Sequence, residues 1–538
     1  MLHVSSTNQN GHWQGISLSD HSFLSPLAPL FPESDALEAF SLTEGKFDRL
    51  SCQGMVAVIG TIGGKKVGVL YNDFRVNGGS FNIANSKKAN AFIAHATKHN
   101  IPLVMAFNTI GVGIMEGRKV FMDSFGTMPA LFDFRAKNLP LITVAIGRCL
   151  GLGAILFQMG HYRITVREKT SFNLTGPEVI RLFFGGQTNF EALASGERQF
   201  EKNDMVQELA DSAEAALSKA HALLFHWLTE GEEAPFSEQV VSFPGAVIIG
   251  EYINGNQLNE SETKLFHLLK QVGDSALEVF EQLSPVVRTF LVRRGNRTIG
   301  VFANPPGHPN NLITVAALER YNAALALFKA MGIPVISFLD TPGIDPRFEH
   351  QEDDIVRLIV SVGKRIIQYP HGHMGFVVGR CFGGATTLGF PKNFRSLRCI
   401  AIKGCQFGVM GESILEQLLE NSPRLLEIRR EVRKTEAEDF SELIAEGILD
   451  ALIDPSEIDR EVQIFLSMVD IGITHEILEH NAMGASVKDY FSALPVANKP
   501  QDPHHPQPAT ALGRPWMRPR LRVNAKEQSP RSHPKYSR

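Results

Sequence analysis

Two stretches of this 538-residue chain repeat each other at one fixed spacing, and that repeat restricts the fold more than any other feature. Gly-Val-Leu-Tyr-Asn at 68–72 returns as Gly-Val-Phe-Ala-Asn at 300–304. The tract NIPLVMAFNTIG from Asn100 returns as GIPVISFLDTPG from Gly332, and GRCLG from Gly147 returns as GRCFG from Gly379. From 68 to 300, from 100 to 332 and from 147 to 379 the step is 232 positions in each case. Solenoids repeat at roughly 20–50 residues, so a period this long means two domains of one fold.

Within each copy, short β-branched runs alternate with helical stretches. Val67–Tyr71, Pro102–Phe107 and Leu141–Ile146 read as buried strands, with counterparts at Ile299–Ala303, Pro334–Phe338 and Gly375–Val378. Ser86–His99 and Val315–Met331 read as the helices between them, which gives βαβ units and an α/β class. Asp204–Leu228 and Thr263–Leu283 carry apolar residues at helical spacing, as a core-facing stripe does. The joint lies near Gly231–Asn259, a polar, turn-rich stretch. The expected division is an irregular lead-in at 1–46, an N-terminal domain at 47–230, a linker and helix at 231–285, a C-terminal domain at 286–490 and a disordered tail at 491–538. Lys499–Arg538 holds nine Lys or Arg against two Asp or Glu and is rich in proline, the composition of a solvated segment.

Composition excludes several classes of function. With 43% hydrophobic residues the chain can bury a sizeable core, and with 53 Lys and Arg against 57 Asp and Glu it has no global basic field to hold nucleic acid or an anionic membrane. Five scattered cysteines form no disulfide framework and no C-x-x-C zinc pair. Met1–Leu18 has neither a signal-peptide nor a transit-peptide pattern, so the chain reads as cytoplasmic. The most apolar window, Leu139–Phe157, carries Arg148 among Gly147, Gly151 and Gly153, and reads as strand, tight turn and helix instead of a membrane span.

The paired glycine turns are the strongest chemical signal. A buried strand that runs into Gly147–Ala154 and then into an apolar helix places backbone N–H groups at the positive end of a helix dipole. Such donors stabilise a developing oxyanion. Glycine lets a ligand approach the backbone closely, which fits Gly151 and, in the second copy, Gly383 with Gly384. A turn packed for its own sake is the alternative, but two copies at one offset favour a site. Gly176-Pro177-Glu178 and Met410-Gly411-Glu412 follow their respective turns, and Asn108-Thr109-Ile110-Gly111 and Asp340-Thr341-Pro342-Gly343 end buried strands. Turns at the carboxyl ends of parallel strands are where α/β sheets gather ligands.

Other motifs fail on spacing. His475 and His480 stand five positions apart where a zinc-protease helix needs four, the third glycine after Gly111 and Gly113 falls one place late for a dinucleotide fingerprint, and Gly60–Lys66 lacks a phosphate loop's hydroxyl residue. There is no serine nucleophile elbow and no obvious acid/base pair. The chemistry expected here relies on backbone donors.

At these turns the sequence resembles the carboxyltransferase (β) subunits of biotin-dependent acyl-CoA carboxylases, the propionyl-CoA carboxylase type above all. The resemblance spans about Met55 to Phe465. It rests on Asp73-Phe74 with Gly78-Gly79-Ser80, Glu116-Gly117, the first glycine turn, Thr175–Ile180, Val301 with Ala303-Asn304, Asp340–Gly343, Arg380–Ala385 and Val409-Met410-Gly411, in this order. It implies a tandem duplication of a crotonase-like ββα superhelix, with acyl-CoA on the N-terminal domain and biotin on the C-terminal domain of a facing protomer.

It further implies two backbone oxyanion holes, Gly151 with Leu152 for the thioester enolate and Gly384 with Ala385 for the ureido anion of biotin. Gly78, Gly79, Ser80, Gly111, Gly113, Gly176 and Pro177 fall on the CoA side, and Gly343, Gly383 and Gly411 on the biotin side. The implied activity is transfer of a carboxyl group between carboxybiotin on a carrier and an acyl-CoA or acyl-carrier thioester. A biotin-dependent decarboxylase subunit and a catalytically silent scaffold are the alternatives. Biotin arrives on a separate protein, the coenzyme A thioester is substrate, no metal is expected, and the partners are biotin carboxyl carrier and biotin carboxylase subunits within a homo-oligomer, dimer or hexamer. The chain departs from the family pattern where Leu152 replaces a second glycine and where Ile110-Gly111-Val112-Gly113 lacks an arginine.

Overall fold

In the first half a hairpin of β3 (Met55–Ile62) and β4 (Lys65–Asn72) closes through Gly63 and Gly64. Both have positive φ, 54° and 76°, as the two-residue turn that matches strand twist demands. The stretch tested as a phosphate loop is this hairpin. The second half repeats it with β11 (Arg288–Arg294) and β12 (Arg297–Ala303), where Gly295 has φ 59°. The computed structural model describes residues 12–19, 22–32, 34, 36–42, 53–184, 194–203, 205–229, 245–347, 354–411 and 440–473. The expected tail, His475–His480, Cys52 and the stretch after Gly411 that opens with Glu412 lie outside these residues.

Among the described residues the first sheet runs β1 (His12–Ser17), β2 (Ala36–Ser41), β3, β4, β5 (Leu103–Thr109), β6 (Leu141–Cys149), β7 (Tyr162–Val166), β8 (Glu208–Ala210). The second runs from β9 (Val247–Ile248) through β10 (Ser275–Glu278), β11, β12, β13 (Val335–Thr341), β14 (His373–Phe382) and β15 (Arg398–Ile402) to β17 (Ala451–Ile453), with β16 (Gln406–Gly408) beside β14. From β4 to β8 and from β12 to β17 the pairing is parallel, and the leading strands are antiparallel, so both sheets are mixed.

The repeat persists at the level of register. Gly68 opposes Leu103 as Gly300 opposes Val335, Leu103 opposes Leu141 as Val335 opposes His373, and Thr109 opposes Cys149 as Thr341 opposes Cys381. The same irregularity interrupts both copies, between Phe107 and Thr109 and between Leu339 and Thr341. Each crossover helix starts on a side-chain cap, Asn82 for Ile83–His99 and Thr314 for Val315–Met331. Each ends on a left-handed residue, Asn100 at φ 54° and Gly332 at φ 76°, two residue types that tolerate that conformation.

The described residues all fall in one compact unit. One hydrophobic cluster runs through both halves, from Leu27 and Val69 to Leu325 and Val377. A second fills the space between the first sheet and its helices around Phe92, Phe107 and Leu156. Between the halves, the Tyr162 hydroxyl accepts the Phe280 N–H at 3.1 Å and donates to Glu208. Arg320, fully buried, donates to the Glu278 carboxylate at 2.8 Å and to the Ser284 carbonyl at 2.6 Å, so its charge is not left bare.

Three sequence expectations change. Two strands, β1 and β2, lie within the stretch read as an irregular lead-in; they pair with each other, and β2 joins β3. Asp204–Leu228 is not one helix. Glu208–Ala210 pairs with β7 and the helix starts at Ala213, capped by Ser212, because Val206 and Leu209 can face a core from either conformation. Thr263–Leu283 likewise divides into the helix Glu260–Val272 and β10. At Gly273 a Cβ would lie 2.2 Å from the Arg293 carbonyl, and that close pass carries the chain into the sheet. Leu139–Phe157 is strand, turn and helix, as read, and no helix among the described residues is long and apolar enough to cross a membrane.

Candidate functional site

At the carboxyl end of β6 the chain has no slack. Cys149 donates to Ser171 O at 3.0 Å and Leu150 to Thr109 O at 3.1 Å, and Gly151 turns at φ 56° into the helix Leu152–Phe157. Only glycine takes that conformation without strain. The N–H of Gly151 already donates to Asn173 O at 2.9 Å, and that of Gly153 to Leu150 O at 3.0 Å. The N–H of Leu152 meets no acceptor among the described residues, while its side chain is buried in the core. Of the expected first pair, then, Leu152 carries the available donor and Gly151 shapes the turn. The branched side chain packs into the core.

Several of the expected CoA-side residues come together around this turn. A Cβ at Gly111 would lie 3.0 Å from Leu150 O and 3.4 Å from the Gly151 Cα, and one at Gly79 would lie 2.3 Å from Asn108 O. Gly78 lies against Ile110, and Gly113 against Asn82 and the Ser80 Oγ. Asn72 ties the loop down by donating to Gly79 O at 2.8 Å. Gly176 stands apart: nothing among the described residues lies within 4 Å of a Cβ built on it, and it accepts the Val179 N–H at 3.0 Å as the helix Pro177–Phe184 begins. Ile110 and Leu174 form an exposed apolar rim.

The second turn repeats the first. Gly383, at φ 58°, takes the place of Gly151, so Gly384 corresponds to Leu152 and Ala385 to Gly153. The N–H of Gly384 meets no acceptor among the described residues. Among the described residues a Cβ on Gly384 would meet only the Ile344 Cγ1, at 4.0 Å, and Gly384 is exposed. Ala385 is buried beside it. Gly343 approaches the Phe382 carbonyl, Gly383 that of Val409, and Gly411 the Phe382 ring, so all three expected biotin-side residues gather here. Exposed Val409 gives this turn an apolar edge.

Asp340 holds the second turn from behind. Its buried carboxylate accepts the Arg380 N–H at 2.8 Å, the Arg380 Nε at 2.9 Å and the Gly307 N–H at 2.6 Å. Arg380 also donates to His308 O at 2.8 Å. Sequence reading saw Asp340 only as a turn residue. Its replacement by Asn108 in the other copy was the available signal, since a carboxylate where the repeat has an amide calls for a cation nearby. Cys149 and Cys381, at the same position in the two copies, are buried, and burial pushes both thiols up, so neither supplies a thiolate. What the two strand ends offer is a matched pair of backbone donors beside open or apolar surface.

The family described as "Carboxyl transferase domain" matches residues 28–483. The propionyl-CoA carboxylase beta chain of Roseobacter denitrificans is 23% identical over 66% of this chain and 70% of its own length. The biotin-dependent long chain acyl-coenzyme A carboxylase beta4 subunit of Mycobacterium tuberculosis is 23% identical over 78% of this chain and 82% of its own. Among solved structures, a hexameric transcarboxylase 12S with bound methylmalonyl-coenzyme A and methylmalonic acid superposes with a TM-score of 0.66 at 20% identity, over 83% of this chain and 89% of that one. At that identity the likeness shows the fold.

Proposed function

The chain belongs to the carboxyl transferase domain family, and on that premise we propose that it moves a carboxyl group between biotin on a carrier protein and the α-carbon of an acyl-CoA. The observation that carries this reading is the repeated turn: one available N–H at Leu152 and one at Gly384, each at the carboxyl end of the same strand in its copy. Carboxyl transfer of this kind passes through two anions, and each needs preorganised donors. Residues 47–230 serve the acyl-CoA and residues 286–490 the biotin, each half acting as one crotonase-like unit. In an oligomer the two turns that face each other come from different protomers.

At the first turn, Leu152 donates to the thioester oxygen as charge builds there on loss or gain of the carboxyl group. Gly78–Ser80, Gly111 and Gly113 form the backbone wall beside it, and Gly176 with Pro177 opens the adjacent helix. At the second turn the open backbone at Gly384 fits a small flat headgroup, with Ala385, Gly343, Gly383 and Gly411 around it. Biotin, when bound, supplies the ureido nitrogen that carries the carboxyl group. No side-chain nucleophile is needed, in keeping with the protonated thiols at both strand ends.

The test is turnover of malonyl-, methylmalonyl- and glutaconyl-CoA, followed by mass spectrometry with and without free biotin. Loss of the carboxyl group that depends on biotin is expected. Turnover indifferent to biotin, or no turnover from folded protein with any of the three, overturns the reading.

A further inference from the structure

At the end of the first sheet opposite Gly151 lies a cavity of about 490 Å³ that the carboxyl-transfer reading does not use. In the first half it is bounded by Arg135 ahead of β6, by His161 and Arg163 at the start of β7, and by Lys202. The second half closes it with two helices. Val315–Met331 buries Leu318, Tyr321 and Leu325 on one face and turns Glu319, Asn322, Ala323 and Ala326 toward the cavity. Ile355–Ile367 contributes Arg357, Ser361 and Arg365.

Five cations thus line a space that Glu319 shares, with Asp354 paired to Arg357 at 3.0 Å at its edge, in a chain whose net charge is −4. Backbone carbonyls fix the innermost heads: Arg163 donates to Met205 O at 2.8 Å and Gly160 O at 3.2 Å, and Arg135 donates to Met159 O. Arg365 and Ser361 are both held by the Asn322 amide oxygen, at 3.0 and 3.1 Å. Guanidinium groups fixed in this way need little reordering to receive a planar or tetrahedral anion. His161 reports the local field, since burial first and then Arg135 and Arg163 lower its pKa to about 3.

We infer that this cavity between the two halves is a second ligand site, separate from the glycine turns, for a compact phosphorylated anion carrying at least two charges. The volume suits a diphosphate or a small nucleotide. Because the cations come from both halves, the bound anion ties the halves together and raises the unfolding temperature.

The experiment is calorimetric titration of the full chain with inorganic diphosphate, with ATP and orthophosphate as parallel arms. Saturable binding of diphosphate is expected, weakened about tenfold or more in Arg357→Glu and in Arg365→Glu. Both side chains are exposed, and the urea midpoint of the free protein stays put. With diphosphate bound, ATP binding as tightly identifies a nucleotide source, and orthophosphate binding as tightly while ATP does not identifies a free-phosphate source. No binding at millimolar diphosphate overturns the inference, as does an affinity in both variants equal to that of the parent.

Discussion

Replacing Gly384 by proline removes one backbone N–H and tests what that group does. Among the described residues its donor has no partner for the substitution to remove, and the only atom there within 4 Å of a Cβ is Ile344 Cγ1, at 4.0 Å. If Gly384 steadies a developing anion, the variant loses about 100- to 1,000-fold in kcat, or about 3–4 kcal/mol of transition-state stabilisation. Gly384→Ala is the control. It adds a methyl into open space at a position without left-handed φ and keeps the N–H, so it retains turnover within about threefold. Steady-state rates and urea unfolding of both variants supply the answer. Turnover by folded Gly384→Pro within threefold of the parent refutes the donor role, and an equal loss in Gly384→Ala assigns the effect to bulk.

Four further outcomes follow from the geometry. Leu152→Ala leaves the N–H in place but empties a core position, so urea unfolding shows a loss of about 2–5 kcal/mol while the folded fraction keeps its turnover. Asp340→Ala strips the carboxylate from Arg380 and Gly307, which costs on the order of 3 kcal/mol in stability and lowers kcat by loosening the second turn. In Gly375→Ala the added Cβ falls 1.6 Å from the Gly389 carbonyl oxygen, a clash with backbone worth more than about 4 kcal/mol, and soluble yield collapses. Burial first, then neighbouring arginines, lowers the pKa of His161 and of His226 to about 3 against an ordinary 6.5. The unfolded chain therefore holds protons that the folded chain refuses. Stability is complete above pH 6.5 and falls by about 1.4 kcal/mol per pH unit for each histidine as pH drops toward 3, measured by urea midpoints across that window. A flat profile from pH 6.5 to 5 contradicts the buried neutral state.

The sequence carried the alternation of strands with crossover helices and the paired glycine turns because the information is local and doubled. The crossover helix Val315–Met331 was legible to the residue, and Ser86–His99 missed only the first turn, Ile83–Asn85, which Asn82 caps. What was not legible depends on partners distant in sequence. Leu209 and Leu277 fit a helical stripe as well as a strand, and only pairing with β7 and β11 decides between them. The same limit applies at the first turn. Nothing local to Gly151 shows that Asn173, 22 positions on, takes its N–H and leaves Leu152 as the donor. Nor does the tract around Arg380 reveal the Asp340 clamp, which forms across 40 positions.

The most direct test of carboxyl transfer is to follow a ¹³C-labelled carboxyl group from methylmalonyl-CoA or malonyl-CoA to free biotin by mass spectrometry. Label should appear in biotin in step with its loss from the acyl-CoA, and should fall together with kcat in Gly384→Pro. Label that leaves as carbon dioxide at the same rate whether or not biotin is present would contradict the account.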